Sequence, residues 1–421
     1  MKTIIRNFGA AAALLLSAHV ASAQLPEASA AGFGMAGNYT AVARGFDAIA
    51  VNPANLGLKD NPAFSLSLFS VGGATGLDPV KFNDIADYGG KLIPASVKES
   101  WLQLIGTGGR ERGSVEGGLS IVALSIKNFG FQFGLSGTGD MNLNSDAAEA
   151  LLFGNAGRTG TAKSFNFSGS SASGSVFGTG AVSLGIPIST GEHGEKLAIG
   201  VTAKYVMGIA AGRAQDNGST VTPDNVNVQF PTIYTDTSHL ADAGSGVGLD
   251  LGISWANEAT TFSATARNVV NTFAWAPEAF KTRVGTFSFD GNVSKSSFVE
   301  APYSTAPAAM RAALEAEKFQ PEIAAGIAHR SGSLLLTADA SDRLSDGIEI
   351  GPKMRAGVGA EFSGIPLLTL RGGAAAVTDG FQFAGGLGIR LGPVEVSAAV
   401  LQRSRNGGSS MGAMFNLISI H

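Results

Sequence analysis

Cysteine is absent from the 421 residues. That excludes a disulfide scaffold, thiolate metal sites and a cysteine nucleophile. Charge is scarce too: charged side chains make up 15% of the chain, against about a quarter in ordinary soluble domains. The 29 basic residues do not outnumber the 33 acidic ones, so no basic surface invites nucleic acid. Trp and Tyr are few, 3 and 5. Beyond the N-terminus no apolar stretch reaches the roughly 18 residues of a membrane-spanning helix. Low charge combined with 44% hydrophobic residues also argues against disorder. What abounds is glycine, 58 residues, about twice the usual share, together with 25 Phe. Such a composition, with a mean hydropathy of +0.19, points to many strands in an unusual solvent rather than to two or three soluble domains.

Residues 1–23 read as a secretory signal. Lys2 and Arg6 supply positive charge, and Phe8 to Val20 form an apolar run of 13 residues, too short to span a bilayer as a helix. Ala21-Ser22-Ala23 is a small-residue cleavage site that makes Gln24 the mature N-terminus. An uncleaved membrane anchor is the weaker alternative. The mature chain is then either a soluble secreted β-protein or a β-barrel of the outer membrane of a diderm bacterium.

Alternation of period two recurs along that chain, the mark of a strand with two different faces. Phe129, Phe131, Phe133 and Leu135 alternate with Gly130, Gln132, Gly134 and Ser136. Leu197, Ile199, Val201, Ala203 and Tyr205 alternate with Ala198, Gly200, Thr202 and Lys204. The pattern predicts 14 strands: 63–72, 115–126, 129–138, 174–188, 195–209, 244–256, 260–270, 321–330, 333–341, 353–363, 366–377, 381–391, 394–404 and 410–420. Most have about the 9–11 residues that a tilted transmembrane strand needs. Connections after even strands are short, whereas those after strands 1, 3, 5 and 7 are long (73–114, 139–173, 210–243 and 271–320). Bacterial barrels have an even strand number, short periplasmic turns and longer outer loops, and a soluble sandwich has no reason to sort its loops by parity. The expected fold is therefore all-β: a transmembrane antiparallel β-barrel of about 14 strands in 63–421, preceded by a non-alternating segment, 24–62. Val80–Ile105 and Ala306–Lys318 read as short helical insertions in outer loops. Two features depart from the usual barrel: the chain ends in His421 rather than an aromatic residue, and any aromatic girdle must lean on Phe.

Lys204, Arg267, Arg355, Arg371 and Arg390 occupy polar positions within these strands, and Asp339, Glu361 and Glu395 share their phase. On a barrel they face the lumen, because a cation at the lipid midplane costs about 2–4 kcal/mol. Two readings follow: a charge site in the lumen for an acidic head group, or an internal salt-bridge network that fixes the N-terminal segment to the wall. The second is the default for a polar lumen.

Ala43 to Gly57 reads ARGFDAIAVNPANLG, followed by Phe64–Leu68, FSLSL. Together with the Gly-rich Ala31–Gly37 this opening resembles that of the FadL-like outer-membrane proteins, which include PorV-like members. It is most similar to an uncharacterised branch with an ARG-DA-NPANL opening. The resemblance implies a 14-stranded barrel with an N-terminal hatch folded into its lumen. It also implies that Asn52, Pro53 and Ala54 lie in that hatch and help to gate the path. The implied function is passive passage of small hydrophobic molecules across the outer membrane, with membrane lipid and a hydrophobic ligand as partners. The alternative it carries is a PorV-like, non-enzymatic part in protein secretion or surface assembly, with a secretion protein as partner. A plain structural turn at Asn52-Pro53 stays open beside the gating role.

Chemistry is otherwise hard to find. Gly32-Phe33-Gly34-Met35-Ala36-Gly37 matches G-x-G-x-x-G but lacks a preceding strand and an acidic residue about 20 positions on, so it is not read as a dinucleotide site. His193, His239, His329 and His421 show no metal-ligand spacing. No motif supports a Ser-His hydrolase. The expectation is a non-enzyme without cofactor or metal.

Overall fold

The computed structural model describes residues 25–190, 196–289, 293–348, 351–378, 380–405 and 408–420. The expected signal sequence, His193 and His421 lie outside the described residues. Fourteen long strands form the wall: β1 (Phe64–Asp78), β2 (Arg110–Ile126), β3 (Phe129–Asn144), β4 (Ser171–Thr190), β5 (Lys196–Gln215), β6 (Gly244–Ala256), β7 (Thr260–Asn271), β8 (Glu322–Ser331), β9 (Leu334–Arg343), β10 (Met354–Ile365), β11 (Leu368–Val377), β12 (Gly380–Leu391), β13 (Val394–Arg405) and β14 (Ser409–Ile420). Each pairs antiparallel with the next. The sheet closes where Leu66–Leu77 of β1 pair with Ser409–Ile420 of β14. Closure removes every edge strand, which makes a sheet tolerable in lipid.

The faces are set by the alternation. Outward positions carry exposed apolar side chains, among them Phe129, Phe131, Ile199, Tyr205, Ile253, Phe262, Phe383 and Phe415. Inward positions carry small or polar residues that are buried, such as Ser65, Gln132, Thr202, Ser254 and Asn416. An apolar exterior around a polar interior is the arrangement of a transmembrane barrel.

Five strands extend further toward the long-loop end than the alternation indicated. β1 runs to Asp78, β2 begins at Arg110, β3 ends at Asn144, β4 begins at Ser171 and β5 ends at Gln215. Stretches such as Gly72-Gly73-Ala74-Thr75-Gly76 show no apolar alternation, yet they pair on both sides and the ladder keeps them extended. β4 and β5, at 20 residues each, are about twice the length a membrane crossing needs. The long connections carry helices Phe82–Ala86, Ala95–Gly108, Ser145–Phe153 and Ala308–Glu315. They also carry a small five-stranded sheet built from 165–166, 220–221, 226–228, 287–289 and 294–296.

Candidate functional site: the plugged lumen

The segment from Leu25 to Leu58 is almost wholly buried. Its local structure follows from its sequence. Ser29 caps the helix Ala30–Gly34, its Oγ accepting from the amide of Ala31. A second helix spans Phe46–Val51. Asn52 caps the 3-10 turn Pro53–Gly57, with Pro53 in the first turn, where its missing N–H costs no bond.

Hydrogen bonds tie this segment to the wall on all sides. Gln132 of β3 donates to the Pro26 carbonyl, and Ser67 of β1 and Asn416 of β14 donate to that of Ala28. Gln382 of β12 (2.9 Å) and Arg355 of β10 (3.1 Å) both donate to the Ala36 carbonyl. Asn38 donates to the Val358 carbonyl, and Asp339 of β9 accepts from the Thr40 amide at 2.9 Å. Asn52 donates to Ser254 Oγ of β6 and to the Ala264 carbonyl of β7, both at 3.2 Å. A segment bonded around the whole circumference lies inside the cylinder. It sits toward the short turns: Asn61 donates to the carbonyl of Lys127, beside the β2–β3 turn. Glycine in the wall makes the approach possible. At Gly200 and Gly252 a β-carbon would collide with Ala54 and Asn52, and at Gly34 it would lie 3.0 Å from Gly386. The glycines of the rejected nucleotide motif thus serve close packing.

Asn52, Pro53 and Ala54 therefore meet at one place, the contact with β5, β6 and β7. The Asn52 side chain bonds forward to Ala54 N (3.1 Å) and across to the wall, rather than serving only the turn. Asn55 holds the fold of the segment itself, donating to the carbonyls of Thr40 and Ala43 (3.0 Å each) and accepting from Ser254 and Ser263. Asn38 and Asn55 escaped the sequence reading, because a buried asparagine outside any alternating stretch carries no periodic signal.

The five strand cations all point inward but form separate groups. Lys204 pairs with Asp250 at 2.6 Å and donates to Asn268. Arg267 pairs with Glu322. Arg355 grips the Ala36 carbonyl. Arg371 bridges Glu361 (2.9 Å) and Glu395 (3.0 Å), and Arg390 reaches Glu395 from the rim. Asp250 and Glu322 were not visible as partners in the sequence. The β6–β7 register shifts between Leu249 and Leu251, so the phase of β7 near Asn268 does not extrapolate along the strand.

Two acids belong to the segment itself. Asp47 accepts from Ser29 (2.9 Å) and Tyr39 (3.2 Å), whereas Glu27 Oε2 is buried without a partner. Burial pushes each carboxyl up to about 7. Both line a cavity of about 10 Å³, roughly one water in size.

Toward the long loops the lumen is divided. On the β4–β7 side it is filled by Phe177, Phe273, Trp275, Phe280 and Phe319 in edge and tilted ring contacts, with Met310 and Leu314 of a loop helix. On the β1–β3 side an open crevice of about 40 Å³ lies between Ser114, Glu116, Thr138, Asp140, Arg403 and Ser410. Among the described residues no three His, Cys, Asp or Glu are placed to hold a metal. His329 bonds Thr260 and His239 pairs with Asp242.

Fold and site define a transmembrane β-barrel with its N-terminal segment packed inside the wall. Residues 53–269 match the Family of unknown function (DUF5723), and the chain belongs to that family. No curated protein matches it. Among solved structures it is similar to a TodX monoaromatic hydrocarbon channel, the deltaS2S3 mutant, at 10% identity and a TM-score of 0.52, covering 89% of this chain and 94% of that one. The TodX deltaS2 mutant gives 10% identity and 0.50, covering 93% and 98%. A Pseudomonas aeruginosa FadL homologue gives 13% and 0.49, covering 96% and 99%. The TodX likenesses, at such low identity, show the fold alone: a closed antiparallel β-barrel of 14 strands.

Proposed function

We propose that the protein is an outer-membrane channel through which small hydrophobic molecules pass passively, with the buried N-terminal segment as its gate. The observation that carries this reading is the segment itself: it fills the lumen at the short-turn end and is held by reversible hydrogen bonds. Asn52, Pro53 and Ala54 are the gating contact, because they seat the segment against glycine-bearing wall. The barrels of like fold described as monoaromatic hydrocarbon channels support an apolar cargo. So does the ring cluster around Phe177 and Trp275, which packs one side of the outer half of the lumen with apolar side chains. The absence of a nucleotide motif from the sequence fits diffusion, and the protein acts on its cargo without chemistry. Residues 1–23 direct its export, and membrane lipid surrounds the outward Phe, Ile and Leu side chains.

Native mass spectrometry of the full chain extracted from its own outer membrane tests the reading. A bound hydrophobic molecule in the lumen is the expected result and would indicate the cargo class. An empty lumen with a reproducibly bound protein would refute it in favour of a PorV-like role in secretion or surface assembly.

A further inference from the structure

The connection between β7 and β8 runs over the ring cluster, and one stretch of it, 303–317, stands apart from the wall. Among the described residues, the backbone of 303–317 makes hydrogen bonds only inside this connection and none to a wall strand. Its own side chains hold it together. The Tyr303 hydroxyl donates to Glu315 at 3.0 Å, and Arg311 Nε donates to the Ala306 carbonyl at 3.2 Å. The helix Ala308–Glu315 and its lead-in are therefore one unit. The inner face of that unit is apolar: Met310 is 2% exposed and Leu314 1%, and with Tyr303 and Ala306 they join the ring cluster around Phe177 and Trp275. Its outer face, with Ala308, Ala309, Ala312 and Glu315, is exposed.

A single carboxylate ties the unit to the wall by polar bonds. Glu317 accepts from Arg213 of β5 at 2.7 Å through Oε1 and from Ser175 of β4 at 3.0 Å through Oε2. Oε2 also takes the indole N–H of Trp275 at 3.1 Å. Among the described residues, no other side chain of 303–317 bonds to a strand of the wall. On either flank the chain is fixed again. Pro302 pairs with Lys281, and the Lys318 carbonyl accepts from the Ile348 amide at 3.1 Å. A unit between two fixed points, held down by apolar packing and one carboxylate, has the build of a lid. Apolar packing is non-directional and re-forms after each opening, whereas the charge-assisted bonds of Glu317 hold in one geometry and act as a catch.

We propose that 303–317 is an outer lid, hinged at Pro302 and Lys318 and latched by Glu317, that uncovers the ring cluster when it lifts. Lifting takes Met310 and Leu314 off the rings and frees the indole N–H of Trp275. The lid regulates entry from the long-loop side, and for that role it rests on the channel reading above. It moves apart from the N-terminal segment, since among the described residues no hydrogen bond joins 303–317 to 25–58. The barrel thus carries two closures, one at each end, that open separately.

The chain has no cysteine, so a single introduced thiol reports the opening. The test is the rate at which maleimide modifies Leu314→Cys in the full mature chain. Adding Glu317→Ala is expected to raise that rate about 10- to 100-fold, because three donors lose their shared acceptor. Glu317→Gln keeps an acceptor but not the charge, so it is expected to fall between. Ile49→Cys, buried in the N-terminal segment, is expected to react at the same rate with and without Glu317→Ala. Heat-modifiable electrophoretic mobility confirms that each barrel is folded, and Met310→Cys replaces Leu314→Cys if the latter is not. A rate at the lid thiol that Glu317→Ala leaves unchanged overturns the inference. So does an equal rise at Ile49→Cys, which would make Glu317 a support of the whole barrel. Entry of a fluorescent naphthylamine probe, followed in parallel, separates the two readings: a faster lid thiol with no entry of the probe upholds the lid and tells against the channel.

Discussion

Replacing Asn52 by Ala isolates the contact between the N-terminal segment and the wall. The substitution removes the acceptor that caps the 3-10 turn at Ala54 N, a loss of about 1 kcal/mol. It also removes the donor to Ser254 Oγ and the Ala264 carbonyl inside a dry contact, about 1–3 kcal/mol more. Together that is about 2–4 kcal/mol against local docking, or roughly 30- to 700-fold more frequent opening at about 1.4 kcal/mol per tenfold. Hydrogen exchange read by mass spectrometry on peptides covering 46–58 measures it directly, because local openings are reported residue by residue. The amides of Ala54, Asn55 and Leu58 should exchange faster by that factor, while those of β10–β13 keep their protection. Asn52→Asp retains the capping oxygen and loses the donors, so it should fall between. Unchanged protection in 46–58 would refute the reasoning, and so would an equal loss in the strands, which would make Asn52 a support of the whole barrel.

Three further outcomes are expected. Glu27 and Asp47 take up protons on docking, since burial raises both from the ordinary carboxylate range to about 7. The docked state therefore binds more protons, its stability falls as pH rises from about 4 to about 7, and it then levels off. Pulse proteolysis should release the segment more readily at pH 8 than at pH 5.5, and Glu27→Gln with Asp47→Asn should flatten that dependence. Arg371→Met leaves Glu361 and Glu395 facing each other without their shared cation, which should cost about 3–5 kcal/mol and lower the temperature of the heat-modifiable mobility shift. Arg371→Lys, which keeps the charge but not the fork, should fall between. Trp275→Ala removes a ring packed on Phe177, Phe273 and Phe280, about 3–5 kcal/mol, and should speed exchange in 272–321 while that of 46–58 is unchanged.

The wall was legible because alternation encodes it locally. The run from Phe129 to Ser136 shows which residues face lipid and which face inward without reference to any other strand. The extra length of β1 to β5 was not legible, since Gly72 to Gly76 acquire extended structure from neighbours. The inward phase of Lys204, Arg267, Arg355, Arg371 and Arg390 could be read from alternation, but their partners could not. Asp250 lies on the next strand from Lys204, and Glu322 lies beyond a 50-residue connection from Arg267. The ring cluster also left no trace, because Phe273, Trp275, Phe280 and Phe319 fall in connections without periodicity.

Sequence alone determined that this chain builds a closed wall of alternating strands with an apolar outside, because a period of two is a property of each strand by itself. Only the tertiary structure decided what fills that wall. Asn52 finds Ser254 and Ala264, Arg355 finds Ala36, and Pro26 finds Gly118 and Gly134 because closure brings strands far apart in sequence around one short segment. The ring cluster likewise assembles only in three dimensions, since Phe177 comes from β4 while Phe273, Trp275, Phe280 and Phe319 come from the connection between β7 and β8.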